Sequence, residues 1–162
     1  MTNNIKVRSV SDIDAGFIFA VMNNEAVLDA LNEIPTQLRD WQDAIGEWNR
    51  DSDEEDHIIC YDGTPVGWFG INGLDSDDRT VYLKLIAILP EYHGKGIGQY
   101  VIGEAVQRLR QRGYLKIALY TDRDNRKARA CYSKCGFEVM EYLTEEMSNG
   151  KTVERVKMGL ML

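Results

Sequence analysis

Leu83-Lys84-Leu85-Ile86-Ala87-Ile88-Leu89-Pro90-Glu91-Tyr92-His93-Gly94-Lys95-Gly96-Ile97-Gly98-Gln99 is an apolar strand that breaks at Pro90, crosses a glycine-rich turn and enters a helix running to Arg112. Ile97, Val101, Ala105 and Leu109 mark one face of that helix and Ile102 and Val106 widen it; Gln99, Glu104, Gln107, Arg108, Arg110 and Gln111 supply the polar side. The helix is expected to stop at Gly113. A helix start carries free N–H groups and the positive end of a macrodipole, and the glycines upstream remove side chains that would hold a phosphate away. A phosphate-bearing ligand fits such a turn. The spacing excludes two common ones: Gly94 and Gly96 are followed by Gln99 where the dinucleotide fingerprint needs glycine, and Gly94-Lys95 is followed by Gly96 where a P-loop needs Ser or Thr. On glycines alone, a strand-to-helix turn with no ligand stays open.

A second group of residues, Asn125, Ala128, Tyr132, Gly136 and Phe137, follows the first at wide separation. Together with His93-Gly94-Lys95-Gly96-Ile97-Gly98 it resembles the GNAT superfamily of N-acetyltransferases. That family's central motif is Gln or Arg, two residues, Gly, one residue, then Gly or Ala, and its later motif has the order and spacing of Asn125 to Phe137. His93 stands where the family usually has Gln or Arg. The two motifs cover about residues 81 to 143, and the order of elements elsewhere agrees.

The resemblance implies an α/β (α+β) fold, a single domain over residues 1–162 with a central mixed, mostly antiparallel sheet of six to seven strands and helices on both faces. It implies acetyl-CoA as cosubstrate and no metal. Backbone groups of Ile86, Ala87 and Ile88 would bond the pantetheine arm in a gap between the strand ending at Ile88 and the parallel strand near Leu115. The pyrophosphate would sit on N–H groups of Gly94, Lys95, Gly96, Ile97, Gly98 and Gln99, with His93 at the position of the family's Gln or Arg side-chain contact and Lys95 adding charge. Tyr132 occupies the position of the general acid that protonates the leaving thiolate, and the Asn125 amide that of a pantetheine contact. An oxyanion donor would be a backbone N–H near Ile88. By residue pattern alone Tyr132 reads as a packed core tyrosine and Asn125 as a helix cap. The general base stays unassigned. Tyr120 stands where ribosomal-protein alanine acetyltransferases of the family carry a glutamate, Lys84 falls near another common position, and Glu25, Asp29, Asp75 and Asp78 are the candidates bordering the acceptor side.

A chain of 162 residues suits one domain with one core. Its longest apolar run is far short of a membrane span, Met1 to Arg8 lacks the apolar core of a signal peptide, and the odd count of three cysteines argues against a disulfide framework. A cytoplasmic protein is the expectation. Cys131 and Cys135 lack a Cys or His pair at ligand spacing, so core thiols are expected rather than a metal site. A net charge of −7 opposes nucleic acid and anionic membranes as partners. Residues 1–80 hold 5 Lys and Arg against 17 Asp and Glu, whereas residues 81–162 hold 14 against 9. An acidic half facing a basic, phosphate-cradling half suggests a cationic acceptor, a small amine or a basic peptide, although a solvated acidic face has the same composition. A homodimer is compatible with the resemblance. The leading function is transfer of acetyl, or a longer acyl group, from CoA to a primary amine; the alternative is a CoA-binding sensor or interaction module without turnover.

Along the chain, Ile5 to Val10 reads as a strand and Ser11-Asp12 as the start of a helix through about Asn23. Glu25 to Asn32 reads as a second helix, and a third follows Pro35, capped by Thr36, with Leu38, Trp41, Ile45 and Trp48 on one face. Arg50 to Asp56 reads as an acidic loop. Ile58 to Tyr61, Val66 to Ile71 and Val81 to Ile88 suit an antiparallel meander. Leu115 to Tyr120 should pair in parallel with the last of these by a right-handed crossover. Asn125 to Lys134 is the next helix, and Phe137 to Leu143 and Val153 to Leu162 close the sheet around a loop from Thr144 to Lys151.

Overall fold

The computed structural model describes residues 4–162; residues 1–3, the start of the N-terminal stretch read above, lie outside it. Seven strands form one sheet: β1 (Ile5–Ser9), β2 (Glu55–Tyr61), β3 (Thr64–Asn72), β4 (Thr80–Ile88), β5 (Lys116–Asp122), β6 (Glu138–Glu146) and β7 (Thr152–Met161), in the spatial order β1-β2-β3-β4-β5-β7-β6. Every neighbouring pair is antiparallel except β4 with β5. Among the described residues there are five α-helices: α1 (Ala15–Met22), α2 (Glu25–Leu31), α3 (Leu38–Trp48), α4 (Ile97–Gln111) and α5 (Arg126–Lys134). The mixed, mostly antiparallel sheet with helices on both faces is the fold expected above.

Strand alternation separates two cores. On one face α4 presents Ile97, Val101, Ile102, Val106 and Leu109 to Ile59, Phe69, Val81, Ile117, Leu119, Val156 and Met158, with Tyr132 and Phe137 joining from around α5. On the other, Ile18, Val21 and Ile45 of the N-terminal helices cover Ile58, Trp68 and Ala87. The apolar stripe read from the α4 sequence is the face it buries.

The feature that positions the site is the failure of β4 and β5 to stay paired. Their parallel ladder holds Thr80 to Lys116, Val81 to Ile117 and Tyr82 to Ala118, and then stops. At the same place the β3–β4 register skips a residue, Leu83 opposing Ile71 and Leu85 opposing Gly70, so Lys84 is the extra residue of a β-bulge. A bulge bends its strand and increases local twist. From Leu83 to Ile88 the β5 side of β4 therefore has no ladder partner among the described residues. On the other side β4 stays tight against β3, and a Cβ at Gly67 would run into the Ala87 carbonyl.

Local differences from the sequence reading have physical causes. The Thr36 hydroxyl is engaged by Trp41 Nε1 at 2.8 Å and Asn23 Nδ2 at 3.0 Å, so the α3 cap passes to Gln37, whose backbone N–H donates to Asp40. The stretch after Ser11 opens as a 3-10 turn (Asp12–Asp14) before α1, with Asp14 drawn inward by Arg8 at 2.8 Å. The acidic segment ends sooner than expected, because β2 begins at Glu55 and its polar residues take ladder positions opposite Ile71 and Gly70.

Candidate active site

Between the diverging halves of β4 and β5 lies a cleft of about 660 Å³. Its floor is Leu83 to Ile88, its far wall Leu119 to Thr121, one side α5, and its ends the glycine turn and the α2 segment from Ala26 to Glu33. At the glycine turn, Gly94 and Gly96 adopt φ of 76° and 77°, in the left-handed region that favours glycine, and a Cβ on either would meet nothing within 4 Å. The turn is thus built around open space. Gly96 caps α4, so the N–H groups of Ile97, Gly98 and Gln99 face that space without intrahelical acceptors. This is a cradle that an anion fits.

His93 is tied to the strand: its Nε2 donates to the Ile88 carbonyl at 2.8 Å, which fixes the proton on that nitrogen and clamps the turn to the end of β4. Lys95 leaves the cleft. Its ammonium lies 5.9 Å from the centre of the Tyr61 ring, in a second groove shared with Ile5, Gln99 and Tyr100. Ile86, Ala87 and Ile88 line the cleft along the unladdered side of β4.

Asn125 and Tyr132 stand in the opposite wall. Asn125 caps α5 through its Oδ1, which accepts from Ala128 N at 3.1 Å, while its amide NH₂ has no partner among the described residues. Tyr132 is buried, with its ring 6.1 Å from that of Phe137, and its hydroxyl makes no hydrogen bond among the described residues. Burial pushes its pKa up to about 12, with Arg155 pulling the other way, so it carries its proton throughout the physiological range. Both residues fill the structural roles read from the sequence, and each keeps a polar group without a protein partner among the described residues.

The same segment matches a known family model. Residues 23–137, from just before α2 to Phe137, match the model of the acetyltransferase (GNAT) family. The chain belongs to the GNAT family. Among curated relatives, it is 29% identical over 96 residues to a mycothiol acetyltransferase of Corynebacterium glutamicum and 26% identical over 106 residues to an uncharacterised N-acetyltransferase of Methanocaldococcus jannaschii. The matched segments are 59% and 62% of this chain but 31% and 47% of those proteins, so the match spans less than half of either relative. Among solved structures, the spermidine N-acetyltransferase of Vibrio cholerae in complex with CoA and spermine superposes with a TM-score of 0.88, over 98% of this chain and 96% of that one, at 23% identity. A ribosomal-protein-alanine N-acetyltransferase of Brucella melitensis superposes with a TM-score of 0.81 over 97% and 99%, at 20% identity. At such identities the superpositions establish the shared fold.

At the α2 end of the cleft the carboxylates are fewer than the charge count suggested. Glu33, half-buried just beyond α2, lines the cleft. Glu25 and Asp29 are exposed on α2 and outside its lining, as are Asp40, Asp43 and Glu47 on α3. Asp75 and Asp78 lie in the β3–β4 turn, at the end of β4 away from the glycines, where Asp75 accepts from Ser52 and Asp78 from Thr80. Tyr120 lines the cleft with its ring stacked on Tyr82. No group of three or more His, Cys, Asp or Glu that could hold a metal occurs among the described residues.

Two polar clusters border the cleft that residue spacing alone did not bring out. Arg155 of β7 donates to Asp122 at 2.7 Å, and Asp122 accepts from buried Asn32 at 2.8 Å, which ties the end of α2 to β5 and β7. Arg155 Nε stands 3.3 Å from Glu145, within ion-pair range but not in hydrogen-bond geometry. The second cluster joins Lys84, which lines the cleft, to Glu54 and Asp56. Burial pushes the Asp56 carboxyl up, to about 8, with Glu54 adding to the rise and Lys84 opposing it. Gly70 in the middle of β3 was the available signal, since glycine inside a strand marks a close approach; a Cβ there would run into Asp56 Oδ1.

Proposed function

We propose that the protein is an N-acetyltransferase that moves the acetyl group of acetyl-CoA to a primary amine, with cationic amines preferred. One observation carries the reading: one cleft has the open glycine cradle at one end and, in its wall, a tyrosine and an asparagine whose hydroxyl and amide have no protein partner among the described residues. In this reading the N–H groups of Gly94 to Gln99 hold the pyrophosphate, with those of Ile86 to Ile88 and the Asn125 amide on the pantetheine. Lys95 contributes its backbone rather than its ammonium, which rests over Tyr61. Glu33 is the carboxylate that an incoming ammonium would meet. The spermidine acetyltransferase named above supports a cationic acceptor by likeness of fold.

An aliphatic amine has a pKa near ~10.4 and arrives as an ammonium. On its way to an amide the nitrogen loses two protons; the thiolate needs one, and in this reading the Tyr132 hydroxyl, kept protonated by burial, gives it. The acyl oxygen that gains charge is served by a backbone N–H near Ile88. The module without turnover is favoured by the acceptor end, where Glu33 is the one lining residue with a carboxylate. Calorimetric titration with CoA tests the cradle common to both readings: Gly96→Glu, which fills the open space with a negative side chain, should abolish measurable binding, and unchanged affinity in a folded variant would overturn it. Release of CoA on adding amines separates the enzyme from the module.

A further inference from the structure

The α2 end of the cleft is built around an arginine whose donors are only partly used. Arg155 of β7 lines the cleft, with 14% of its side chain exposed. Its Nη1 donates to Asp122 Oδ1 at 2.7 Å, and its Nε is buried 3.3 Å from Glu145 without hydrogen-bond geometry. Nη2 makes no hydrogen bond among the described residues and is not buried as Nε is. A guanidinium is a planar, rigid fork, so with two of its nitrogens turned to carboxylates the third is the one left for the cleft. The fork is held from both sides. Asp122 also accepts from Asn32 Nδ2 at 2.8 Å, and Asn32, buried, closes α2 in the left-handed conformation with φ of 55°. The next residue, Glu33, lines the cleft, its N–H returned to the Leu28 carbonyl at 3.0 Å. The β6–β7 loop joins the same knot, since the Asn149 N–H donates to the Asn32 carbonyl at 3.3 Å. A carboxylate and a guanidinium are thus fixed relative to one another in one cleft. Burial raises the Tyr132 pKa and the Arg155 charge opposes it, so the guanidinium faces the space where the acetyltransferase reading puts the breaking C–S bond.

We propose that Arg155 selects the acceptor: its Nη2 donates to a neutral oxygen, a carbonyl or a hydroxyl, carried close to the reacting amine, while Glu33 meets the ammonium. The inference rests on the acetyltransferase reading and narrows its substrate class. The amines that qualify have such an oxygen beside the nitrogen, as a peptide N-terminus or an amino sugar does. A plain polyamine offers ammonium groups and methylenes, and leaves the donor unanswered. A site donor left unpaired by the bound substrate costs binding, which is how a polar site rejects analogues that lack the partner. The oxygen is neutral because the guanidinium is already matched by Asp122 with Glu145 beside it, so the cluster is net negative and opposes a further carboxylate.

Matched pairs of amines test the assignment. kcat/KM is measured for alaninamide against isopropylamine and for glucosamine against cyclohexylamine, and the wild type should favour the oxygen-bearing member of at least one pair. The pair that responds tells an amide carbonyl from a sugar hydroxyl. Arg155→Lys keeps a cation for Asp122 but has no fork. It should cut the preference by about ten- to a hundredfold, the worth of one hydrogen bond to a charged group, chiefly through KM and with CoA affinity by calorimetry kept. Differences in amine basicity within a pair cancel when the two enzymes are compared. Alanine, with a carboxylate in place of the amide, should be a poorer substrate than alaninamide. A wild type that acetylates amines but favours the oxygen-bearing member of neither pair overturns the inference alone, with no variant needed. A preference that survives in Arg155→Lys, or alanine outrunning alaninamide, does the same. A wild type that binds CoA and turns over no amine overturns it together with the acetyltransferase reading.

Discussion

The Tyr132 ring packs beside Phe137 in the core over the α4 face of the sheet, while its hydroxyl opens on the cleft. Tyr132→Phe keeps the first and removes the second. Its kcat should fall about ten- to a thousandfold, the lower end because a thiol with a pKa near ~8.5 leaves as thiolate without full proton transfer; wild-type kcat with chemistry rate-limiting would return the residue to packing alone. Asp56 makes a prediction about stability. Its carboxyl binds a proton more tightly in the folded chain than in the unfolded one, so its stabilising contribution is complete below the ordinary carboxylate range and is lost as pH rises through about 8. Asp14, held below its ordinary range by Arg8, acts at lower pH and in the opposite sense. Half-buried His57, its pKa lowered by burial, acts in the opposite sense below the ordinary histidine range, so melting is followed above it, between about pH 7 and 8.5, where the midpoint should fall with pH, about 3 °C for each kcal/mol lost, and Asp56→Asn should flatten the slope. A wild-type midpoint level across that range would contradict the burial assigned to Asp56. Tyr132 and Asn125 were legible as residues because each has a fixed place in a spaced motif. Asp56 was not, because its meaning depends on a glycine in the next strand and a lysine in the one after.

At the scale of elements, the strand-turn-helix unit from β4 to α4 was readable from its punctuation: Pro90 ends the strand, two left-handed glycines turn the chain, and the apolar stripe of α4 names the buried face. The antiparallel meander and the parallel crossover followed from loop length. The bulge at Lys84 did not, since Leu83, Leu85 and Ile86 read as uninterrupted strand and only the register against Ile71 and Gly70 shows the extra residue. Yet the bulge coincides with the end of β4–β5 pairing and so with the start of the cleft. The close approach on the β3 side can be tested. Gly67→Ala would drive a methyl into the Ala87 carbonyl, and should cost about 2 kcal/mol or more, as overpacking does. Gly103→Ala, on α4 with nothing within 4 Å of the added carbon, should be neutral or slightly stabilising. Chemical denaturation of the two variants checks the contrast; equal stabilities would mean that β3 and β4 are less tightly apposed than described.

Over the whole molecule the charge is divided along the sequence, with an acidic half before β4 and a basic half after it. The fold qualifies what that division can do. The carboxylates of α2 and α3 lie on exposed faces, and Glu33 is the one that borders the cleft, so attraction of a cation combines one near carboxylate with a field screened over about 8 Å at physiological salt. Glu33→Gln should raise KM for a cationic amine by several-fold with little change in kcat, and KM in the wild type should rise with ionic strength; a KM flat with salt would assign the acidic half to solubility. Composition could supply the sign of that field but not its geometry, since which acidic residue reaches the cleft depends on how α2 meets β5 through Asn32 and Asp122. The most direct measurement is CoA release from acetyl-CoA across polyamines, aminoglycosides, amino acids and basic peptides, with the acetylated amine identified by mass. Turnover of at least one cationic amine, lost in Gly96→Glu and sharply reduced in Tyr132→Phe, is the predicted result. Binding of CoA with no acetyl transfer to any amine would contradict it and leave a cofactor-binding module in its place.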